Sequence, residues 1–203
     1  MPDLRNILAV PQIYQAFQQS GGFFGARLKT IQRYLPIQEE ARIVDVGCGP
    51  GYLRSFLPES CRYFGFDTDE RYIARAQATQ QPHDQYRCRI FDEAMAAEVA
   101  PVDIIMMNGL LHHLTDDEAR RLLAASVSAL SDGGRIFTLD GCYVPGQSLL
   151  RKKLLDWDRG RYVRTEDHYR SLFPETVSLS THVDEDLSWI SYSFLSMVAT
   201  KRV

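Results

Sequence analysis

Two adjacent histidines, His112 and His113, follow Asn108 within the stretch VDIIMMNGLLHHL. Imidazole is the side chain whose unperturbed titration falls near neutral pH, so either ring could take a proton from a substrate or return one. Asp140 and Tyr143, at and just beyond the end of a later apolar run, could serve the same purpose. Each of the four has a plainer role available, as a packing residue at a strand end, and the sequence does not choose among them. Further upstream Asp45, Asp67 and Asp92 lie in or at the end of apolar runs, and Gly47, Gly49 and Gly51 alternate with other residues in VDVGCGPG. A carboxylate accepts from hydroxyls and amines, while a turn of glycines lets a ligand come close to the backbone. The four cysteines, Cys48, Cys61, Cys88 and Cys142, form no CxxC pair and have no histidine at metal-ligand spacing, so they read as small apolar residues of a reduced protein.

These groups need a frame that brings residues far apart in sequence to one edge. From residue 41 onward short apolar runs alternate with amphipathic stretches: RIVDVG, YFGFD, YRCRI, VDIIMMN and RIFTLD read as strands buried on both faces, as in a parallel sheet. Helices are expected at LRSFL, ERYIARAQATQ and DEARRLLAASVSAL, the last behind the N-cap signal Thr115-Asp116-Asp117-Glu118, and the third connection reads as short and irregular. TVSLSTHV and ISYSFLSMVAT, joined by an acidic turn at 184–186, are expected to add an antiparallel pair. Residues 1–40 and 143–173 fall outside the alternation and read as an N-terminal helical cover and a helical lid of one domain spanning 1–203.

A parallel strand that turns at once into a helix offers free amides to an anion, and Gly47, Gly49 and Gly51 occupy that turn. Position 52 is Tyr where a dinucleotide fingerprint has its third glycine, which favours a nucleoside bearing a small carboxylate, as in S-adenosylmethionine, over a pyrophosphate. Asp67 stands 20 residues after Gly47, the spacing at which a strand-tip acid accepts both ribose hydroxyls. Phe91 and Asp92 at the expected end of the third strand suit an adenine face and its amine. The chain resembles the class I S-adenosylmethionine-dependent methyltransferases from about residue 41 to the C-terminus, on VDVGCGPG, GFDTD, IFDEA, VDIIMMNGLLHHL and GGRIFTLDG in that order. The resemblance implies a Rossmann-like α/β fold with a seven-stranded sheet in the order 3-2-1-4-5-7-6. It also implies that Asp45 and the Gly47–Gly51 turn, Cys48 included, hold the methionine part, with Asp67 and its neighbour Thr68 at the ribose, Asp92 at the adenine amine and the backbone near Asn108 at the amino group.

The acceptor is read mainly from absences. Asn108-Gly109-Leu110-Leu111 replaces the Asn/Asp-Pro-Pro-aromatic turn used on planar amides and base amines, no Pro-Cys follows the fourth strand, and no acidic cluster marks a metal site. An oxygen nucleophile on a small molecule, without metal, is what remains. The net charge of -3 gives no general pull toward nucleic acid, but residues 144–171 carry a local balance of +3, with Arg159, Arg161 and Arg164 placed to grip an anionic acceptor. DRGRYVRTEDHYRSL is loosely similar to inserts of small bacterial methyltransferases of polysaccharide and secondary-metabolite pathways. Around the Gly21-Gly22 pair, Tyr14, Phe17, Phe23 and Phe24 form an aromatic segment able to close over a cofactor, with Tyr14 the residue expected to touch it. The first apolar run, Ile7 to Val10, is ended by Pro11 and is too short for a signal sequence or a membrane span, so a cytoplasmic protein is expected. A NAD-dependent oxidoreductase and a non-catalytic cofactor-binding protein are the rival readings.

Overall fold

The computed structural model describes residues 22–157, 160–188 and 192–202. Helix α1 (Phe23–Tyr34) leads into strand β1 (Arg42–Val46), and a 3-10 turn (Tyr52–Phe56) links it to β2 (Arg62–Asp67). Then come α2 (Glu70–Ala78), β3 (Asp84–Cys88), α3 (Glu93–Val99), β4 (Val102–Asn108), a second 3-10 turn (Leu111–His113), α4 (Asp116–Ala129) and β5 (Leu130–Tyr143). The chain continues through α5 (Leu149–Asp156), β6 (Arg164–Thr165), α6 (Glu166–Arg170), β7 (Val177–Asp184) and β8 (Phe194–Lys201).

The sheet runs β3-β2-β1-β4-β5-β8-β7, the order expected from sequence, with the two-residue β6 added beside β5. The first five strands are parallel, and β8 returns antiparallel to both β5 and β7. Apolar side chains alternate between two faces. Met95, Val99, Leu123 and Tyr169 join α3, α4 and α6 to one face through Val44, Ile105 and Met107, while Ala26, Ile31, Ile73 and Leu155 bring α1, α2 and α5 to the other through Ile43, Ile104 and Met106. Both faces are covered, as the near-continuous apolar runs require.

Three local expectations are corrected. LRSFL forms a 3-10 turn, because the chain passes straight from the glycine turn to the Pro58 bend. Its Arg54, 3% exposed, pairs with buried Asp84 at 2.7 Å and donates to the carbonyls of Pro58 and Glu59 at 3.1 Å, holding the loop against β3. The third connection is helical, since Asp92 caps α3 by accepting from the Met95 amide at 3.0 Å. The last strand begins at Phe194, with Tyr192 and Ser193 before it outside the strand and Ile190 and Ser191 outside the described residues. The expected N-cap of α4 is present as a full capping box of Thr115 and Glu118.

Candidate active site

All five parallel strands end toward one edge of the sheet, and there a cavity of about 430 Å³ opens between the glycine turn, α1 and the end of β4. Gly47, Gly49 and Gly51 have φ of 75°, 53° and 76°, left-handed values that side chains disfavour. The amides of Gly47 and Cys48 donate to the Phe66 carbonyl at 2.8 and 3.1 Å, Gly49 donates to Asp67 Oδ2 at 2.9 Å, and Gly51 to the Cys48 carbonyl at 3.1 Å. These amides are therefore engaged by the protein itself, which corrects the free-amide anion site expected from sequence. The turn works by bringing bare backbone to the cavity wall.

Asp67 lines the cavity half-buried, its Oδ1 accepting from the Asp69 amide at 2.9 Å, so each oxygen has one backbone donor and capacity for another. Asp45 lies deeper, 2% exposed, and accepts the Tyr63 hydroxyl at 2.6 Å. Burial raises its carboxyl to about 6, against the lowering effects of Tyr63 and Arg27. Asn108 also lines the cavity, and its side-chain Nδ2 and Oδ1 are buried without a hydrogen-bond partner among the described residues. An orphaned amide in a cavity wall is a cost unless a ligand supplies the missing partners. Phe24, Tyr52, Phe56 and Tyr72 add aromatic faces to the wall, and Arg27 a guanidinium.

On the β4–β5 side His112 Nδ1 lies 2.7 Å from Asp140 Oδ1, and the same oxygen accepts the His112 amide at 3.2 Å. Asp140 is 1% exposed and His112 is 7% exposed. His113 lines the cavity, its ring tilted against His112 with centroids 4.2 Å apart. Gly160 presses on the His112 ring so closely that any Cβ there would overlap it, and the Tyr162 amide donates to the His112 carbonyl at 3.0 Å.

Residues 44–136 match the family model for a methyltransferase domain. Residues 44–136 are thus a methyltransferase domain, in a sheet whose strand order is the one the class I resemblance implies. It is 30% identical over 115 residues to a ubiquinone biosynthesis O-methyltransferase of Xylella fastidiosa, covering 55% of this chain and 46% of the relative. It is also 30% identical over 132 residues to a trans-aconitate 2-methyltransferase of Variovorax paradoxus, covering 61% and 46%. The chain thus spans about half the length of these curated relatives. Its fold is similar to that of phosphoethanolamine N-methyltransferase 2 of Haemonchus contortus, solved in complex with S-adenosyl-L-methionine, with a TM-score of 0.67 at 13% identity over 100% of this chain and 61% of that one.

Within the methyltransferase domain the cavity gathers Asp45, Gly47, Cys48, Gly49, Asp67, Asn108 and His113 from the sequence-predicted set. Gly51 serves packing instead, since a Cβ there would meet the Tyr86 hydroxyl at 3.0 Å and Ala76 at 3.1 Å. Phe91 and Asp92, expected at the adenine, lie outside the cavity wall: β3 ends at Cys88, Phe91 is 2% exposed and packs edge-on against Phe66 at 5.0 Å, and Asp92 caps α3 through Oδ1. Thr68 is exposed and outside the cavity wall. Tyr143 donates to Asp156 at 2.7 Å, a bond within the lid that accounts for its hydroxyl without catalysis. Arg164 is corrected as an acceptor ligand. It is 4% exposed, and its guanidinium meets Asp116 at 2.8 Å and the carbonyls of Leu111, Leu114 and Tyr162 at 3.0, 2.6 and 2.8 Å, tying the lid to the loop after β4. Arg161 is exposed, and Tyr14 and Arg159 lie outside the described residues. Phe24, Arg27 and Tyr72 were not singled out as ligand contacts from sequence; for Phe24 alone a signal existed, in the aromatics around the Gly21-Gly22 pair.

Proposed function

We propose that this protein transfers a methyl group from S-adenosylmethionine to an oxygen nucleophile on a small molecule, in a biosynthetic pathway. The observation that carries the reading is the single cavity in which the glycine turn, Asp67 and the unpartnered Asn108 amide converge. The residues present fit the cofactor. Asp67 has acceptor capacity for ribose hydroxyls, Asp45 and Asp67 supply negative charge for a cationic ligand, and Asn108 offers both a donor and an acceptor to an amino-acid part. When bound, that cofactor supplies an electrophilic methyl group on a sulfonium.

The chain's own contribution is positioning and one proton. His112 Nδ1 lies against the Asp140 carboxylate, so a proton carried on this ring is stabilised by that charge, and the neighbouring His113 brings the histidine pair to the cavity wall. His113 lines the cavity beside His112, in a wall that also holds Phe24, Tyr52, Phe56 and Tyr72. An oxygen acceptor accords with the O-methyltransferase relative, and Arg161 on the exposed lid suits a carboxylated acceptor such as the one in the second relative's name. This reading invokes no metal and takes a small molecule rather than nucleic acid as the acceptor. The test is a screen of hydroxylated, carboxylated and phosphorylated small molecules for S-adenosylhomocysteine release, followed by His112→Asn and Asp140→Asn on the best acceptor. Turnover confined to nucleic acid or protein, or unchanged kcat in both variants, would overturn the reading.

A further inference from the structure

Helix α5 turns two apolar faces in opposite directions. Leu155, 1% exposed, packs into the core, and Leu154 packs against the same cluster. At about 100° per residue, Leu149, Leu150, Lys153 and Trp157 fall within an arc of about 100° on the other side. There Leu149 is 82%, Leu150 62% and Trp157 55% exposed. A surface helix needs one apolar stripe; a second, left in water, marks a site of contact. The basic residues are placed around this second face. Lys153, exposed, lies at its centre, while Asp156 borders it about 20° beyond Leu149, and Lys152, about 60° beyond, pairs with that acid at 3.0 Å. Arg151 faces the body of the protein and holds the helix in place through Glu185 at 2.8 Å.

We propose that this outer face of α5 docks the protein on an anionic phospholipid surface, with Leu149, Leu150 and Trp157 entering the headgroup region and Lys152 and Lys153 meeting lipid phosphates. Leucines and a tryptophan beside lysines are what lets a helix lie in the plane of a membrane interface. A lysine in the middle of the apolar arc argues against a protein partner, because the core of a protein interface is depleted in lysine. A second copy docked about a two-fold axis would bring Lys153 toward its own counterpart. A lipid surface has neither difficulty, since the long stem stays in the apolar layer while the ammonium reaches the phosphates. The chain's net charge of -3 makes the local balance of α5 decisive, so docking is expected to be salt-sensitive. Helix α5 follows β5, the strand that carries Asp140, so docking by this face would set the lid and the acceptor side near lipid. The docking does not depend on methyl transfer and is measured without it.

The experiment is co-sedimentation of the full chain with extruded vesicles, either of phosphatidylcholine alone or with about a third phosphatidylserine, an anionic content for which juxtamembrane lysines have appreciable attraction. Binding is expected to the anionic vesicles only and to fall with added salt. Lys152→Gln/Lys153→Gln should weaken it at least tenfold, and Leu149→Ser/Leu150→Ser/Trp157→Ser should abolish it, with thermal melting and S-adenosylhomocysteine affinity unchanged as proof of folding. Should the triple variant fail that control, quenching of Trp157 by brominated lipid in a Trp189→Phe background reads insertion in the otherwise native chain. A wild-type protein that stays in the supernatant at every composition overturns the proposal. So does full retention of binding in the folded triple variant, an unquenched Trp157, or a dimer that Trp157→Ser dissociates, which would make a second copy the occupant.

Discussion

Replacing Asp45 by asparagine should make the protein more stable and a poorer cofactor binder at once. Burial raises the Asp45 carboxyl from 3.8 to about 6, the largest single influence on it, while Tyr63 and then Arg27 pull the other way. Because the native state holds this proton more tightly than the unfolded chain does, the associated stabilisation is complete below about pH 4 and is lost as the pH rises through about 6. At 1.36 kcal/mol per unit, the rise corresponds to about 3 kcal/mol missing at pH 8. Asparagine is nearly isosteric, can still accept from Tyr63 and never ionises. The weaker bond to a neutral acceptor takes back part of the gain, leaving an expected stabilisation of roughly 1–3 kcal/mol at pH 8. In a chain of this size each kcal/mol moves Tm by about 2–4 °C. The assay is thermal unfolding of both proteins at pH 8 and pH 4.5, with calorimetric titration of S-adenosylhomocysteine at the higher pH. The gain should be present at pH 8 and should shrink at pH 4.5 to about 1 kcal/mol or less, because native Asp45 is then protonated while the unfolded carboxyl is still mostly ionised, and cofactor affinity should fall in the variant. A variant no more stable at pH 8, or equally stabilised at both pH values, would refute the reasoning.

Asp67→Ala should weaken S-adenosylhomocysteine binding at least tenfold by calorimetry, roughly the 1.5–3 kcal/mol carried by a charge-assisted hydrogen bond. Gly160→Ala must push the lid off the His112 ring, so it should lower kcat on an identified acceptor while leaving S-adenosylhomocysteine affinity within about twofold, since Gly160 is not part of the cofactor cavity wall. Asp84→Ala strands the buried Arg54 guanidinium and should cost about 3–5 kcal/mol in urea unfolding, whereas substitution at the exposed Asp69–Arg71 pair should change stability by less than about 1 kcal/mol.

The parallel strands were legible because strands covered on both faces must be apolar throughout, and each such run here is followed by a change of period or a turn; their order in the sheet came only from the resemblance to the class I family. The glycine turn and Asp67 were legible for a different reason: left-handed backbone needs glycine, and the strand-tip acid keeps a fixed distance along the chain. Asp92 shows where this fails. An acid after an apolar run reads alike whether the strand reaches it or stops short, and β3 stops at Cys88, so Asp92 becomes a helix cap. Arg164 was misread because sequence shows a charge but not the carbonyls of Leu111 and Leu114, more than 45 residues upstream, that fold around it. Phe24 and Arg27 reach the cavity only through the packing of α1 against the sheet, a tertiary event with no local periodicity to announce it. The pairing of His112 with Asp140 depends on β4 and β5 being neighbours, which the strand order implies but no motif states.

The most direct measurement is calorimetric titration of the full chain with S-adenosylhomocysteine and, separately, with NAD. A cavity built from the glycine turn, Asp67 and Asn108 should bind one equivalent of S-adenosylhomocysteine at micromolar concentration or tighter, with no heat from NAD. Absence of binding by S-adenosylhomocysteine, or saturable binding of NAD at the same cavity, would contradict the assignment of this protein as a methyltransferase.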